Sequence, residues 1–500
     1  MSDLEHRASA LDMSPDEFRR AGHALVDQLA ELWETVRERP LTQGDDPGRA
    51  WELVGRGPLP EHGTKPEVVL SEAFAALKQG SLFNGHPKFF GYITAGAAPI
   101  GVLSDLLAAG INPNCGGWPL SPVASAIELQ TVRWIAELIG FPADCGGMLC
   151  SGGNVANMLG FWAARANATG AAKGQDLRAY APAATHTWLQ KAADLSGIGA
   201  ENVVMVPCDE EERMDTKALR DAIVRDKKEN KDPFLVVASG GTVSTGAVDD
   251  LEEVRRICVE HGLWMHVDGA YGAFAACLPE NPENIQAIKL ADSIALDPHK
   301  WLYAPLEAGC VLTKKRSHLL DAFSYRPPYY HFHREDSPEW CNFYELGIQN
   351  SRGFRALKVW AALRQAGRQG YVESIRQDIA LAKAMAEHVK TVPELELRSH
   401  RLSIVTFRFV PLGGRPEFLD SLNERILTTM QSGGEAFVSN AVLSPLSTVH
   451  AANVAQSEHA YFLRACVVNF RTQLRDVLET VDLAAKLGRE IYAEVGAPAP

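Results

Sequence analysis

The chain has 500 residues, 46% of them hydrophobic and 22% charged, with a formal net charge of -13. That length is more than one hydrophobic core organises, so one large domain with at least one smaller one is expected. The acidic balance, with a pI near 5.6, excludes nucleic-acid and anionic-membrane binders, and nine cysteines with no CxxC pair read as reduced thiols of a cytoplasmic protein.

From the N-terminus, Met1 to Glu17 lacks the apolar stretch of a signal peptide, and nowhere do about eighteen apolar residues run together, so neither a signal peptide nor a membrane span is expected. Ser14-Pro15-Asp16-Glu17 has the form of a capping box with Pro at the first helical position. The helix it starts carries Phe18, Ala21, Leu25, Leu29 and Trp33 on one apolar face. Arg39-Pro40 ends it, and a loop-rich stretch through Gly44, Pro47, Gly55, Pro58 and Pro60 predicts an arm wrapped over something else, as in a dimer. His86-Pro87-Lys88-Phe89-Phe90-Gly91-Tyr92 then packs three aromatics into a Pro- and Gly-marked segment, either as loop packing or as a pocket wall.

From about residue 145, short apolar runs alternate with helical patterns. Gly147 to Cys150 leads into Ser151-Gly152-Gly153-Asn154 and a helix. Leu177 to Ala184 leads to His186 and another, and Val203 to Val206 to a third. Phe234 to Ala238 precedes Gly240-Gly241-Thr242, and Leu263 to Val267 ends at Asp268. Ser293 to Leu296 and Cys310 to Thr313 add two further runs. This is the rhythm of a doubly wound α/β sheet, whose ligands bind beyond the C-terminal strand ends. His186, Thr242, Asp268 and Lys300 all fall at or just past such ends, so one site can gather them. After Arg352 two helical patterns follow, Phe354 toward Gly370 and Ile375 to Val389. Strand-like Leu402 to Val410 and Cys466 to Phe470, with helices around Leu419 to Met430 and Leu474 to Ile491, predict a smaller α+β domain. The expected division is an N-terminal helical arm and dimer-forming segment over 1–95, a large α/β domain over 96–372 and a small α+β domain over 373–500.

The chemistry-bearing residues follow the same order. Ser151-Gly152-Gly153-Asn154, between a strand and a helix, offers bare backbone N–H groups to a phosphate, although an ordinary turn looks similar. It lacks the lysine of a Walker loop and the spacing of a dinucleotide fingerprint. Asp268, ending an apolar strand, needs a partner: a ring nitrogen or a salt bridge. His266-x-Asp268 with no third ligand is a poor metal signature. In Asp297-Pro298-His299-Lys300-Trp301 a lysine sits at a strand mouth. A partly desolvated lysine amine can form a Schiff base with an aldehyde, although a surface or paired lysine is the commoner case. A phosphate cradle, an aromatic-ring His, a strand-end Asp and a His-Lys some thirty residues later together match the needs of pyridoxal 5'-phosphate, which has a phosphate to anchor, a ring to stack, a ring nitrogen to keep protonated and an aldehyde to hold.

These motifs resemble those of the group II pyridoxal-phosphate amino-acid decarboxylases, the family of aromatic-L-amino-acid and glutamate decarboxylases. The most specific are His299-Lys300-Trp301, His266-Val267-Asp268-Gly269-Ala270-Tyr271 and His86-Pro87 with Phe89-Phe90. The likeness runs from the Glu17-Phe18-Arg19-Arg20 helix to Val468-Asn469-Phe470-Arg471. It implies the fold type I, PLP-dependent transferase-like architecture and a homodimer with active sites at the subunit interface. It makes Lys300 the Schiff-base lysine, Asp268 the partner of the pyridine nitrogen and His186 the stacking ring opposite Ala270. Ser151, Gly152, Gly153 and His299 hold the phosphate side, Thr242 lies near the ring, and Ser351 reaches the neighbouring subunit's phosphate. The mobile catalytic loop falls at Arg326 to Ser337, with Tyr329 as proton donor and Tyr330 as the neighbouring choice; a Phe there favours oxidative deamination to an aldehyde, so Tyr argues for simple decarboxylation.

Two features depart from the pattern. Asp297 stands where aromatic-acid members carry Asn near the phosphate, and a carboxylate beside a phosphate is repulsive, so Asp297 is left out of the cofactor set. Around the expected substrate pocket Tyr92 is kept, but Asn84, Ile93 and Asn114, with Gly116, replace larger or more aromatic residues, implying a wider or more polar pocket. The expected small-molecule substrate is an L-amino acid, with tyrosine, tryptophan, DOPA or phenylalanine favoured. The alternatives are glutamate or 2,4-diaminobutyrate as substrate, aldehyde synthesis, and a catalytically silent scaffold. No metal, nucleic acid or membrane partner is expected.

Overall fold

A computed structural model describes residues 9–168, 176–325, 340–411, 418–443 and 460–495. Tyr329, Tyr330 and the expected catalytic loop lie outside the described residues. Seven strands form the large sheet: β1 (Gly146–Cys150), β2 (Leu177–Pro182), β3 (Val203–Val206), β4 (Asp232–Ser239), β5 (Trp264–Asp268), β6 (Ser293–Leu296) and β7 (Gly309–Thr313). Their order is β1-β7-β6-β5-β4-β2-β3, with all pairs parallel except those of β7, which runs against both β1 and β6. β1, β6 and β7 are buried at every position, which is why they read as continuous apolar runs rather than alternating ones. The register aligns the functional edge: Ser239 pairs with Asp268, Asp268 with Ala295, Leu296 with Cys310 and Gly309 with Cys150.

The N-terminal helix Pro15–Thr35 starts at the expected capping box, Glu17 N donating to Ser14 Oγ at 3.3 Å and Ser14 N to Glu17 Oε2 at 2.9 Å. The two expected helical patterns after Arg352 form one helix, Ala356–Thr391, broken at Gly367, whose φ of 63° only glycine adopts freely. Its first half packs into the large-sheet core through Val359 and Leu363. Its second half covers the small sheet through Ala382, Met385 and Val389.

That small sheet is antiparallel, in the order β10-β11-β9-β8, from β8 (Leu395–Arg401), β9 (Ile404–Phe409), β10 (Ser439–Leu443) and β11 (Ala460–Cys466). β9 matches the expected strand, whereas the one expected over Cys466 to Phe470 lies earlier. Beyond Cys466 the chain leaves the sheet to hold the His86-Pro87 turn, Asn469 Nδ2 donating to His86 O at 2.8 Å and Thr472 Oγ1 to Pro87 O at 2.7 Å. The turn in turn joins the small domain: Phe90 N donates to Phe437 O at 2.7 Å, Cys466 N to Phe90 O at 2.9 Å, and Phe89 and Phe90 are buried. For these two rings packing is the outcome. Tyr92 stays exposed.

The long helix also grips the turn that carries Lys300. Asp378 Oδ2 accepts from Trp301 Nε1 at 2.9 Å and Tyr303 OH at 2.7 Å, and Trp301 stacks on Tyr271 with centroids 4.9 Å apart. Burial pushes the Asp378 carboxyl up to about 7 against a usual 3.8, the two donors offsetting only part of this. Between about pH 4 and pH 7 the folded protein therefore retains a proton that the unfolded chain has lost. The stability from this proton is complete below pH 4 and lost as pH rises through 7, at most roughly 4 kcal/mol. Asp378→Asn should remove that dependence: in denaturation curves the stability of the variant relative to wild type should climb from pH 4 to pH 7 and then level off.

Candidate active site

The site forms where the strand ends align. After β1 the chain turns at Ser151-Gly152 into the helix Gly153–Asn167, leaving its first N–H groups open at a helix N-terminus. Glycine is required around the turn: a Cβ on Gly309 of β7 would lie 2.5 Å from the Gly152 backbone, and one on Gly153 would lie 2.5 Å from Asp297 Oδ2. Behind β1, Glu128 and Arg352 form an ion pair sealed from solvent. Arg352 Nη2 lies 2.6 Å from Glu128 Oε1 and 2.6 Å from Leu149 O, and Leu149 N donates to the same Glu128 Oε1 at 2.9 Å. The preceding Ser351 faces outward, exposed.

Asp268 ends β5 with both carboxylate oxygens engaged, Oδ2 by Trp188 Nε1 at 2.8 Å and Oδ1 by Ala270 N at 3.2 Å. Sequence reasoning missed Trp188. The available signal was a large indole two residues after His186 in a strand-end turn. His266, two residues before Asp268, is fully buried between Ser293 Oγ at 2.7 Å and Asn157 Oδ1 at 2.8 Å. Desolvation pulls its pKa down to about 4, so it is a neutral brace, and no three-ligand metal cluster exists among the described residues.

The β6 end leads through Asp297 into the short helix Pro298–Trp301. Lys300 Nζ lies 2.9 Å from Asp297 Oδ2, and its side chain is 19% exposed. His299 is held at Nδ1 by the Ala308 backbone, with O at 2.8 Å and N at 3.1 Å, and burial lowers its pKa. The tautomer in which Ala308 N donates to Nδ1 leaves Nε2–H free to donate into the cradle.

One cavity of about 350 Å³ takes in Ser151, Gly152, Gly153, His186, Thr242, Asp268, Ala270, His299 and Lys300, together with Trp188 and Asp297. Nine of the ten residues expected to hold the cofactor thus share one space, and Ser351 does not reach it within the chain. Asp297, left out of that set from sequence, is in the cavity wall because Gly153 leaves room for it. The donor set suits pyridoxal phosphate: open N–H groups at a helix N-terminus for the phosphate, the His186 imidazole for the ring, the Asp268 carboxylate for the ring nitrogen and the Lys300 amine for the aldehyde, all lining one cavity.

The expected substrate residues do not line this cavity within one chain. Ile93 is 6% exposed and packs in the large core. Asn114 is exposed, with Oδ1 taken by Gly116 N at 3.0 Å and Arg352 N at 3.2 Å. Asn84 is half-buried, and Tyr92 is fixed through Tyr92 N to Ser439 Oγ at 2.7 Å with its ring outward.

The profile of the pyridoxal-dependent decarboxylase conserved domain matches residues 56–410. The chain is 29% identical over 486 residues to an aromatic-L-amino-acid decarboxylase of Bacillus atrophaeus, covering 96% of this chain and 97% of that one. It is 30% identical over 453 residues to a phenylacetaldehyde synthase of Petunia hybrida, covering 86% and 89%. Among solved structures, Oryza sativa TDC with PLP and tryptamine superimposes with a TM-score of 0.87 at 25% identity, over 97% of this chain and 100% of that one.

Proposed function

The chain belongs to the pyridoxal-dependent decarboxylase family with pyridoxal 5'-phosphate as its cofactor, and from that premise we propose that it converts an L-amino acid, an aromatic one by preference, to its amine and carbon dioxide. The observation that carries this reading is that Lys300, Asp268 and the Ser151–Gly153 cradle line one cavity. When bound, the cofactor supplies an electron sink for the bond that loses carbon dioxide. The chain does the rest. Lys300 Nζ, the amine in that cavity, would hold the cofactor through its aldehyde and give way to the substrate amine. Asp268, fixed by Trp188 and the Ala270 N–H, would serve to keep a proton on the cofactor's ring nitrogen. His186, Ala270 and Thr242 would hold the cofactor's ring, and Ser151, Gly152, Gly153 and His299 its phosphate. Tyr329, with Tyr330 as the neighbouring choice, would return a proton to the substrate carbon.

The homodimer is supported by surfaces that one chain leaves uncovered. Helices Pro47–Val54 and Pro66–Gly80 bury none of their own residues, and Leu103, Leu107 and Ile111 form an exposed stripe on helix Pro99–Ile111. In that dimer Tyr92, Ile93, Asn84 and Asn114 lie at or beneath the subunit interface and shape substrate choice, while Ser351 reaches across it. Nine free cysteines support a reducing, cytoplasmic setting, and no helix among the described residues is long and apolar enough to cross a membrane. The second reading, aldehyde synthesis, is favoured by the likeness to the Petunia phenylacetaldehyde synthase.

Product masses from a screen of the common L-amino acids with DOPA and 2,4-diaminobutyrate test both readings. Amine stoichiometric with carbon dioxide is expected, first from tyrosine, tryptophan, DOPA or phenylalanine. Aldehyde with ammonia and hydrogen peroxide would transfer the assignment to the second reading, and no carbon dioxide from any substrate would overturn both.

A further inference from the structure

Two carboxylates line the cavity, Asp268 and Asp297. Asp268 is braced by two N–H donors. Asp297 is placed otherwise: it is 2% exposed, its Oδ2 lies 2.9 Å from Lys300 Nζ and 3.8 Å from His299 Nε2, and its buried Oδ1 has no hydrogen-bond partner among the described residues. Because Oδ2 also lies 2.5 Å from where a Gly153 Cβ would stand, the carboxylate faces the backbone cradle that would take the cofactor's phosphate. Two anions held together there repel, so a fixed carboxylate at this point calls for a compensating task.

The local geometry supplies one. Asp297 stands at the N-cap position of the short helix without a side-chain capping bond, and Lys300 is three residues on, with Lys300 N donating to Asp297 O at 2.8 Å, so the backbone turn itself brings the two side chains together. We propose that Asp297 is a positioning residue that docks the free Nζ of Lys300 at the phosphate end of the cavity whenever the lysine is not bonded to a carbonyl carbon. The inference rests on the reading of the cavity as the pyridoxal-phosphate site. The pair must open before Nζ can offer its lone pair. Once Nζ is engaged elsewhere, the carboxylate is left beside His299 and the phosphate, which favours the lysine's return.

The test uses the full chain freed of cofactor with hydroxylamine, then mixed with pyridoxal, which carries the aldehyde without the phosphate, or with pyridoxal 5'-phosphate. Nζ adds to the aldehyde carbon, one water leaves as C=N replaces C=O, and borohydride delivers hydride to that carbon while nitrogen takes a proton from water. The resulting secondary amine is counted by intact mass and located by peptide mapping. Asp297→Asn should load pyridoxal on Lys300 about tenfold faster than wild type, since a charge-assisted hydrogen bond no longer has to open. With pyridoxal 5'-phosphate the gain should be larger, because the repulsion of its phosphate is also gone. Asp297→Ser is the second variant should the amide fold poorly. Pyridoxal loading within twofold of wild type, in a variant that melts like wild type, overturns the docking role while leaving the cofactor site intact. A wild-type chain that takes no pyridoxal 5'-phosphate on Lys300 overturns the cofactor reading and this inference with it.

Discussion

Lys300→Ala is expected to lower amine formation by at least roughly a thousandfold, because no other amine lines the cavity among the described residues and the covalent route then has no nucleophile. Two effects are mixed in that variant, since it also leaves buried Asp297 without its ammonium. Lys300→Arg separates them. A guanidinium keeps a cation beside Asp297 but cannot form the C=N bond, so this variant should melt close to wild type and be equally inactive. Borohydride-trapped cofactor mass on the chain gives a readout independent of turnover: present in wild type, absent in both variants. Turnover within tenfold of wild type in Lys300→Arg would remove the lysine from the chemistry.

Glu128→Ala carries the largest expected effect on stability. The Glu128 and Arg352 side chains are 1% and 0% exposed, and truncating one partner leaves an uncompensated charge in the interior. The expected loss is about 3 to 5 kcal/mol in chemical denaturation, with Leu149 N also losing its acceptor. Arg352 holds three points at once, Glu128, Cys115 O at 3.0 Å and Leu149 O at 2.6 Å, so the pair ties the segment around Ser351 to the strand that opens the phosphate cradle. A double replacement, Glu128→Leu with Arg352→Met, should recover a large part of the loss, because two apolar side chains of similar volume leave no charge to desolvate. A double variant as unstable as the single would show that the hydrogen bonds to Cys115 and Leu149, rather than the charge, carry the effect.

The candidate site was legible to the extent that its residues end apolar strands. His186, Thr242, Asp268 and Lys300 each fall at or just past the end of a mostly apolar run, so the doubly wound pattern predicts a shared edge, and the register aligns the ends of β4, β5 and β6 by pairing Ser239 with Asp268 and Asp268 with Ala295. Strand pairing elsewhere was less legible. β8 carries Glu396, Arg398, Ser399 and His400 at the sheet edge, where polar residues are tolerated, so no apolar run marked it. β11 was placed late because Val467 and Val468 continue its apolar run, although the chain has by then turned to hold His86 and Pro87.

The sequence by itself determined the order of the large-sheet elements, the glycine cradle, the lysine and the aspartate, because each depends on local pattern: strand period, a strand-to-helix turn, a strand-end charge. Only the tertiary structure decided which groups act on them. Trp188 reaches Asp268 from 80 positions away, and Asp378 reaches Trp301 from 77. Asp297 turns into the cradle because Gly153, on a different strand-helix unit, has no side chain to exclude it. Those contacts join segments far apart in the chain, and hydrophobic periodicity carries no information about which distant polar group a buried carboxylate will meet.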